Sequence, residues 1–157
     1  MFYHLALPHV FTPYNILSSR DFQRISKWIS PKQTFNYILL YRRTRDSNSS
    51  ITFHQKCDRI RNTMTIIITE EDWKFGEYID ALWSSKGDIH DWTYKSSELS
   101  FIFSLNLKRK YKINKHFSPI FCSGNYEPTF GSHDMKIHNS YFNKTSKCNS
   151  PSSYTNL

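Results

Sequence analysis

The sequence predicts a mainly β domain of the α+β class, a two-sheet antiparallel sandwich flanked by short helices. Three observations predict it. Several short runs rich in β-branched and aromatic residues read as strands, with turn residues between them. Only two stretches carry helical spacing, and both are short. Aromatic residues make up 17% of the chain, with 12 Phe, 10 Tyr and 4 Trp, which excludes disorder for most of its length. At 157 residues the chain fits one ordinary domain with a sizeable core.

Residues 1–15 read as an irregular lead-in, punctuated by Pro8 and Pro13. The first helix is expected over 19–29. Ser18 is placed to cap its first turn, and Asp21 stands where a capping box puts its acid. Leu17 and Phe22 have the spacing of a hydrophobic staple. Phe22, Ile25 and Ile29 then form an apolar stripe with Trp28 beside it, and Ser30-Pro31 ends the helix. That stripe needs a sheet to pack on. The run 35–41 alternates, with aromatic side chains on one face. Asp46-Ser47-Asn48-Ser49 is a turn-and-cap cluster, and Ser49 is placed to start a second helix through Cys57, with Phe53 and Cys57 on one side.

The clearest strand is 63–69, and 74–79 reads as its hairpin partner. Residues 84–98 read as a long loop holding Trp92. A strong strand follows at 101–105, and weaker ones at 119–122 and 134–137. From Asn139 onward Asn, Ser, Thr and Lys dominate, so 139–157 is expected to be a loose polar tail. The domain core is therefore placed at 16–138.

Net charge is +8, which favours acidic partners. The charge concentrates in Arg42-Arg43-Thr44-Arg45 and in the run from Lys108 to Lys115. The second run has only Tyr111 as an interleaved aromatic, so a solvated hairpin loop is favoured over a nucleic-acid site. No window reaches the run of about 20 apolar residues that a membrane helix needs. The first ten residues lack the basic start and cleavage site of a secretory leader. Three widely spaced cysteines, Cys57, Cys122 and Cys148, do not form a secreted disulfide framework. A cytoplasmic location is expected.

At this point the residues resemble a known family. Residues 39–58 run Leu39-Leu40-Tyr41-Arg42, then Arg45-Asp46, Ser49, Phe53-His54 and Lys56-Cys57-Asp58. This is similar to the signature LLYR, SRDGFS, FHxKCD of the TLDc domain. Thr65-Ile66-Ile67 resembles the end of its TLTII strand, Phe75-Gly76-x-Tyr78 its FGGY, Trp83 and Ser85 its WxSS, and Lys95-Ser96 its YKSD. Phe101 to Leu105 resembles its F-[IL]-FSL strand. Tyr126-x-Pro128-x-Phe130-Gly131 with His133-Asp134 resembles its YGPxFGxGHD. The pieces fall in one order over about residues 16–157.

Departures from the pattern include Ser47 for the Gly of RDGFS, Asn48 for its Phe, Arg61-Asn62 for the Gly-Pro before TLTII, and Glu77 for the second Gly of FGGY. The FGxGHD stretch is one residue short. These losses are expected at turns, where glycine meets backbone needs. Compared with the family, the chain is also expected to lack a closing strand and so to expose a sheet edge.

The resemblance implies a non-catalytic protein-interaction module linked to oxidative-stress resistance and to regulation of the vacuolar proton-pumping ATPase. It implies no cofactor, no metal and no small-molecule substrate. The residues singled out as motif or interaction candidates are Arg42, Arg45, Asp46, His54, Lys56, Cys57, Asp58, Tyr78, His133 and Asp134.

The residues themselves also raise other chemistries. Lys56 beside Cys57 would suit a peroxide-responsive thiol, and His54 with Asp46 or Asp58 would imitate a Cys-His-Asp set. The structural reading is a buried cysteine one turn from Phe53, and no oxyanion element accompanies the set. His133 and His138 lack the spacing of a zinc site and read as turn or surface residues. Nucleic-acid binding through 108–115 is the remaining alternative.

Overall fold

The structure is a computed structural model that describes residues 2–6, 16–85, 93–95, 97–114, 118–131, 135–137, 147–148 and 154–156. Among these residues two antiparallel sheets face each other. The larger holds, in chain order, β1 (Phe2–Ala6), β2 (Ile38–Arg42), β3 (Thr63–Ile68), β4 (Lys74–Ile79), β6 (Phe101–Ser104), β7 (Arg109–Ile113) and β12 (Tyr154–Asn156). The smaller holds β5 (Thr93–Lys95), β8 (Ile120–Cys122), β9 (Thr129–Phe130), β10 (Met135–Lys136) and β11 (Lys147–Cys148). Three helices are added: α1 (Ser19–Ile29), α2 (Arg43–Asp46) and α3 (Ser50–Cys57). The mainly β sandwich with short helices is what the sequence predicts.

Each face of the large sheet has its own core. On the outer face α1 lays Ile25, Phe22, Trp28 and Ile29 over Tyr3, Leu39, Ile66, Tyr78, Phe101 and Phe103. Its start is fixed by the predicted capping box: Asp21 N donates to Ser18 Oγ at 3.2 Å, and Ser18 N donates to the Asp21 carboxylate at 3.2 Å. On the inner face Ile79, Ile67 and Phe75 meet Ile120, Cys122, Phe130 and Met135 of the small sheet. Phe53 and Cys57 of α3 and the wholly buried Trp83 fill the same layer.

Tyr41 reaches this inner layer through a bulge. The register of β1 on β2 pairs His4 with Tyr41 and Leu5 with Leu39, so Leu40 is an extra residue. One extra residue reverses which face later side chains take. Leu39 therefore joins the α1 side and Tyr41 the inter-sheet side. The strict alternation expected over 35–41 fails here, and the strand itself begins only at Ile38.

Four expectations are corrected by the strand pairing. The lead-in contains β1, which sits between β2 and β3 rather than loosely at the surface. The loop over 84–98 contains β5, paired with β8. The basic run is not a hairpin loop: Lys108 ends a turn, and Arg109–Ile113 is a strand between β6 and β12. The tail contributes β11 and β12, and β12 covers the outer edge of β7, where an open edge was expected.

The missing glycines fall partly where expected. Ser47 holds φ at 113° and Asn62 at 55°, conformations that glycine takes without strain. Glu77, in contrast, is mid-strand in β4, opposite Thr65 and Ile102, and wholly buried.

Candidate functional site: a buried polar centre around His54

Among the buried residues of α3 the one titratable polar side chain that reaches another segment is His54. Its ring is 5% exposed and each nitrogen faces an oxygen. Nδ1 lies 2.8 Å from the Asp58 carboxylate, one turn on. Nε2 lies 3.0 Å from the carbonyl oxygens of both Ser123 and Tyr126. A carbonyl can only accept, so Nε2 carries a proton and donates. The ring thereby ties α3 to the segment between β8 and β9.

Asp58 extends the tie to a third segment. Its second oxygen accepts from Ser85 N at 2.5 Å and from Ser85 Oγ at 2.7 Å. Arg59 N also donates to the Trp83 carbonyl at 3.1 Å. Burial pushes the Asp58 carboxyl up, but the bonds from His54 and Ser85 outweigh it and hold it below its ordinary range. These bonds give the Phe53-His54-x-x-Cys57-Asp58 spacing its physical meaning. At positions i and i+4 of one helix face, a histidine and an aspartate can bond each other and still reach out on both sides.

Asp46 plays the same part for α2. Arg45 donates to both its oxygens, at 2.8 and 2.7 Å, and Arg42 N donates at 2.8 Å. Lys56 Nζ lies 3.5 Å away. The Arg45 bonds, with help from Arg42 and Lys56, hold the Asp46 carboxyl at about 2. Arg42 itself donates to Thr44 Oγ1 at 2.9 Å and lies over the Tyr3 ring.

Three groups at this centre escaped sequence reasoning: Arg43, Ser123 and Glu127. Glu127 is 1% exposed, and neither of its oxygens makes a hydrogen bond among the described residues. Arg43 approaches to 3.7 Å. The Tyr41 hydroxyl lies beside it, but its one proton goes to the Ser47 carbonyl at 2.6 Å. Burial pushes the Glu127 carboxyl up to about 7, against the pull of Arg43, Tyr41 and His54. A signal was present in the sequence: an acid stands at the variable place of Tyr126-x-Pro128, where the family pattern has glycine.

The arrangement does not serve a thiol. Cys57 is wholly buried beside Phe53 and Trp83, and burial pushes its thiol up. A reactive cysteine needs a lowered value and solvent access. His54 spends Nε2 on two carbonyls, so that nitrogen has no lone pair to offer a nucleophile's proton. Tyr78 is a core residue whose hydroxyl donates to Asn62 Oδ1 at 3.2 Å. His133 and Asp134 lie outside the described residues. Among the described residues no group of three His, Cys, Asp or Glu is placed to hold a metal ion.

Compared with known proteins, residues 10–156 match the model of the TLDc domain family. The chain belongs to the TLDc domain family. No curated protein and no solved structure matches it. Within this TLDc domain the motif carries architecture as much as surface. His54, Asp58 and Asp46 lock α2 and α3 in place. The side chains this leaves outside are Arg45, Gln55, Lys56 and Ile51, the last 65% exposed. These exposed side chains make up a ledge of α2 and α3 on the TLDc domain. No helix among the described residues is long and apolar enough to cross a membrane.

Proposed function

We propose that this TLDc domain is a non-catalytic, cytoplasmic protein-interaction module that engages the vacuolar proton-pumping ATPase and contributes through it to oxidative-stress resistance. The reading rests on family membership. The observation that carries it in this chain is the α2–α3 ledge. His54, Asp58 and Asp46 beneath it are each held by hydrogen bonds, while Ile51, Arg45 and Lys56 are exposed. A pre-ordered surface with an apolar centre and a charged rim loses little entropy on binding.

The test is capture of proton-pump subunits by the full chain, wild type against an Ile51→Asp/Lys56→Glu double variant. Neither substitution touches the core, and Lys56 is 40% exposed at its ion pair with Asp46, so the variant should melt only slightly below the wild type. Capture by the wild type and loss in the variant is the expected result. Equal capture by a folded variant would remove the ledge from the reading, and no capture by the wild type would remove the pump.

The thiol-based alternative predicts a Cys57 that reacts rapidly in the folded protein. The burial of that side chain supports the opposite.

A further inference from the structure

We infer that the outer face of α1, continued by β7, is a docking site for an extended acidic peptide segment of a partner protein. Arg20, Gln23, Arg24, Lys27 and Trp28 line a concave surface of about 290 Å³. Arg20, Gln23 and Lys27 are exposed and Arg24 is half-buried. Among the described residues, none of the three cations has an acidic partner. Asp21, the one acid of α1, is turned back to Ser18, accepting from its Oγ at 2.7 Å.

The same face gains charge from the neighbouring strand. Lys110 pairs across the sheet with Phe103, and Lys112 with Phe101. Directly opposed residues share a face, and both phenylalanines lie under Trp28. Lys110 Nζ donates to the Trp28 carbonyl at 3.0 Å and lies over the Phe101 ring. Lys112 is exposed beside it. Burial, then the nearness of Lys112, holds the Lys110 ammonium below its ordinary value. Five cations thus share one side of the molecule.

The spacing and the surroundings select the occupant. Arg24 and Lys27 stand about 6 Å and about 10 Å along the helix from Arg20. An extended peptide with an acid at every second residue presents carboxylates about 7 Å apart, which fits the step from Arg20 to Arg24, while Lys27 needs its long side chain to reach the next one. Gln23 lies among the cations and has both a donor and an acceptor for a peptide backbone. A single-stranded nucleic acid would need exposed rings to stack on. The Trp28 ring is instead packed against Phe101 and Phe103. An anionic membrane would attract the same cations but would meet this concave surface as a plane, whereas one extended chain can lie in it between Arg20, Gln23, Arg24 and Lys27. This surface is separate from the α2–α3 ledge and stands whatever the ledge binds.

The test is fluorescence anisotropy with the full chain. The probes are a short labelled peptide of alternating Glu and Ala, its Lys-Ala counterpart, and an oligo-dT of equal length. The wild type should bind the acidic peptide at low salt and prefer it to both other probes. Arg20→Glu/Arg24→Glu/Lys27→Glu should weaken binding at least about tenfold. Arg59→Glu/Arg61→Glu, which changes charge at exposed residues after α3 on the Trp83 side of the large sheet, should leave it within about twofold at about 0.1 M salt. The milder Arg24→Gln/Lys27→Gln should give an intermediate loss and guards against a misfolded triple variant. No binding at low salt, equal losses in both charge-reversed variants, or tighter binding of oligo-dT would each overturn the proposal.

Discussion

Glu127 faces Arg43 across 3.7 Å with its carboxylate wholly enclosed. The pair joins α2 to the segment that His54 also grips, so two independent ties run from the motif helices to the same stretch of chain. Ionised, Glu127 has only a distant guanidinium to offset its lost hydration. Protonated, it has a donor to give to the Tyr41 hydroxyl oxygen. The charged form is therefore disfavoured in the fold.

That asymmetry sets a pH dependence. The carboxyl moves from an ordinary 4.5 to about 7 on folding. Between these values the folded state holds the extra proton. Its contribution is complete below about 4.5 and is lost as pH rises through about 7. Urea unfolding should show stability falling by on the order of 2–3 kcal/mol across that window. Glu127→Gln keeps the shape and removes the titration, so its curve should be flatter over the same range. An unchanged slope would show that Glu127 is not the titrating group.

Asp46 gives the opposite sign. Its carboxyl is lowered from 3.8 to about 2, chiefly by the Arg45 bonds. The contribution is present above about 4 and is lost as pH falls toward 2. Asp46→Asn should lower stability at neutral pH by about 1–2 kcal/mol and flatten the acid limb. Far-ultraviolet circular dichroism against pH reads both effects.

His54→Ala should be among the more damaging single changes in the motif. It strands the Tyr126 carbonyl, leaves the Ser123 carbonyl with Tyr126 N alone and leaves Asp58 with Ser85 alone. A loss of about 2–4 kcal/mol in urea unfolding is expected. Lys56→Ala, at a residue 40% exposed, should stay within about 0.5 kcal/mol.

Ser47→Gly should stabilise the domain by up to about 1 kcal/mol. The residue holds φ at 113°, and glycine relieves that strain while keeping the carbonyl that accepts from Tyr41. A lower melting temperature for Ser47→Gly would show that the serine side chain contributes more than the strain it brings.

Gly76→Ala should destabilise by about 2–3 kcal/mol. A Cβ there would overlap the Thr65 carbonyl oxygen, with the Phe103 ring crowding it from the next strand. Both obstacles belong to the sheet and cannot turn aside. A melting temperature equal to the wild type would refute this packing.

The sequence by itself determined the local elements and the family. Helical spacing marked 19–29 with its capping box, β-branched and aromatic runs marked strands at 63–69 and 101–105, and the His54-to-Asp58 run marked the motif. These signals lie within a few residues of one another, where spacing and side-chain chemistry can be read directly. Tertiary structure decided the rest. The place of β1, the pairing of β12 on the far edge of Arg109–Ile113 and the bulge that turns Tyr41 inward depend on partners from distant parts of the chain. Glu127 is the sharpest case. Its neighbours along the chain look like a turn, and only the meeting of β2, α2 and α3 around it makes a carboxylate in a turn into a buried titrating group.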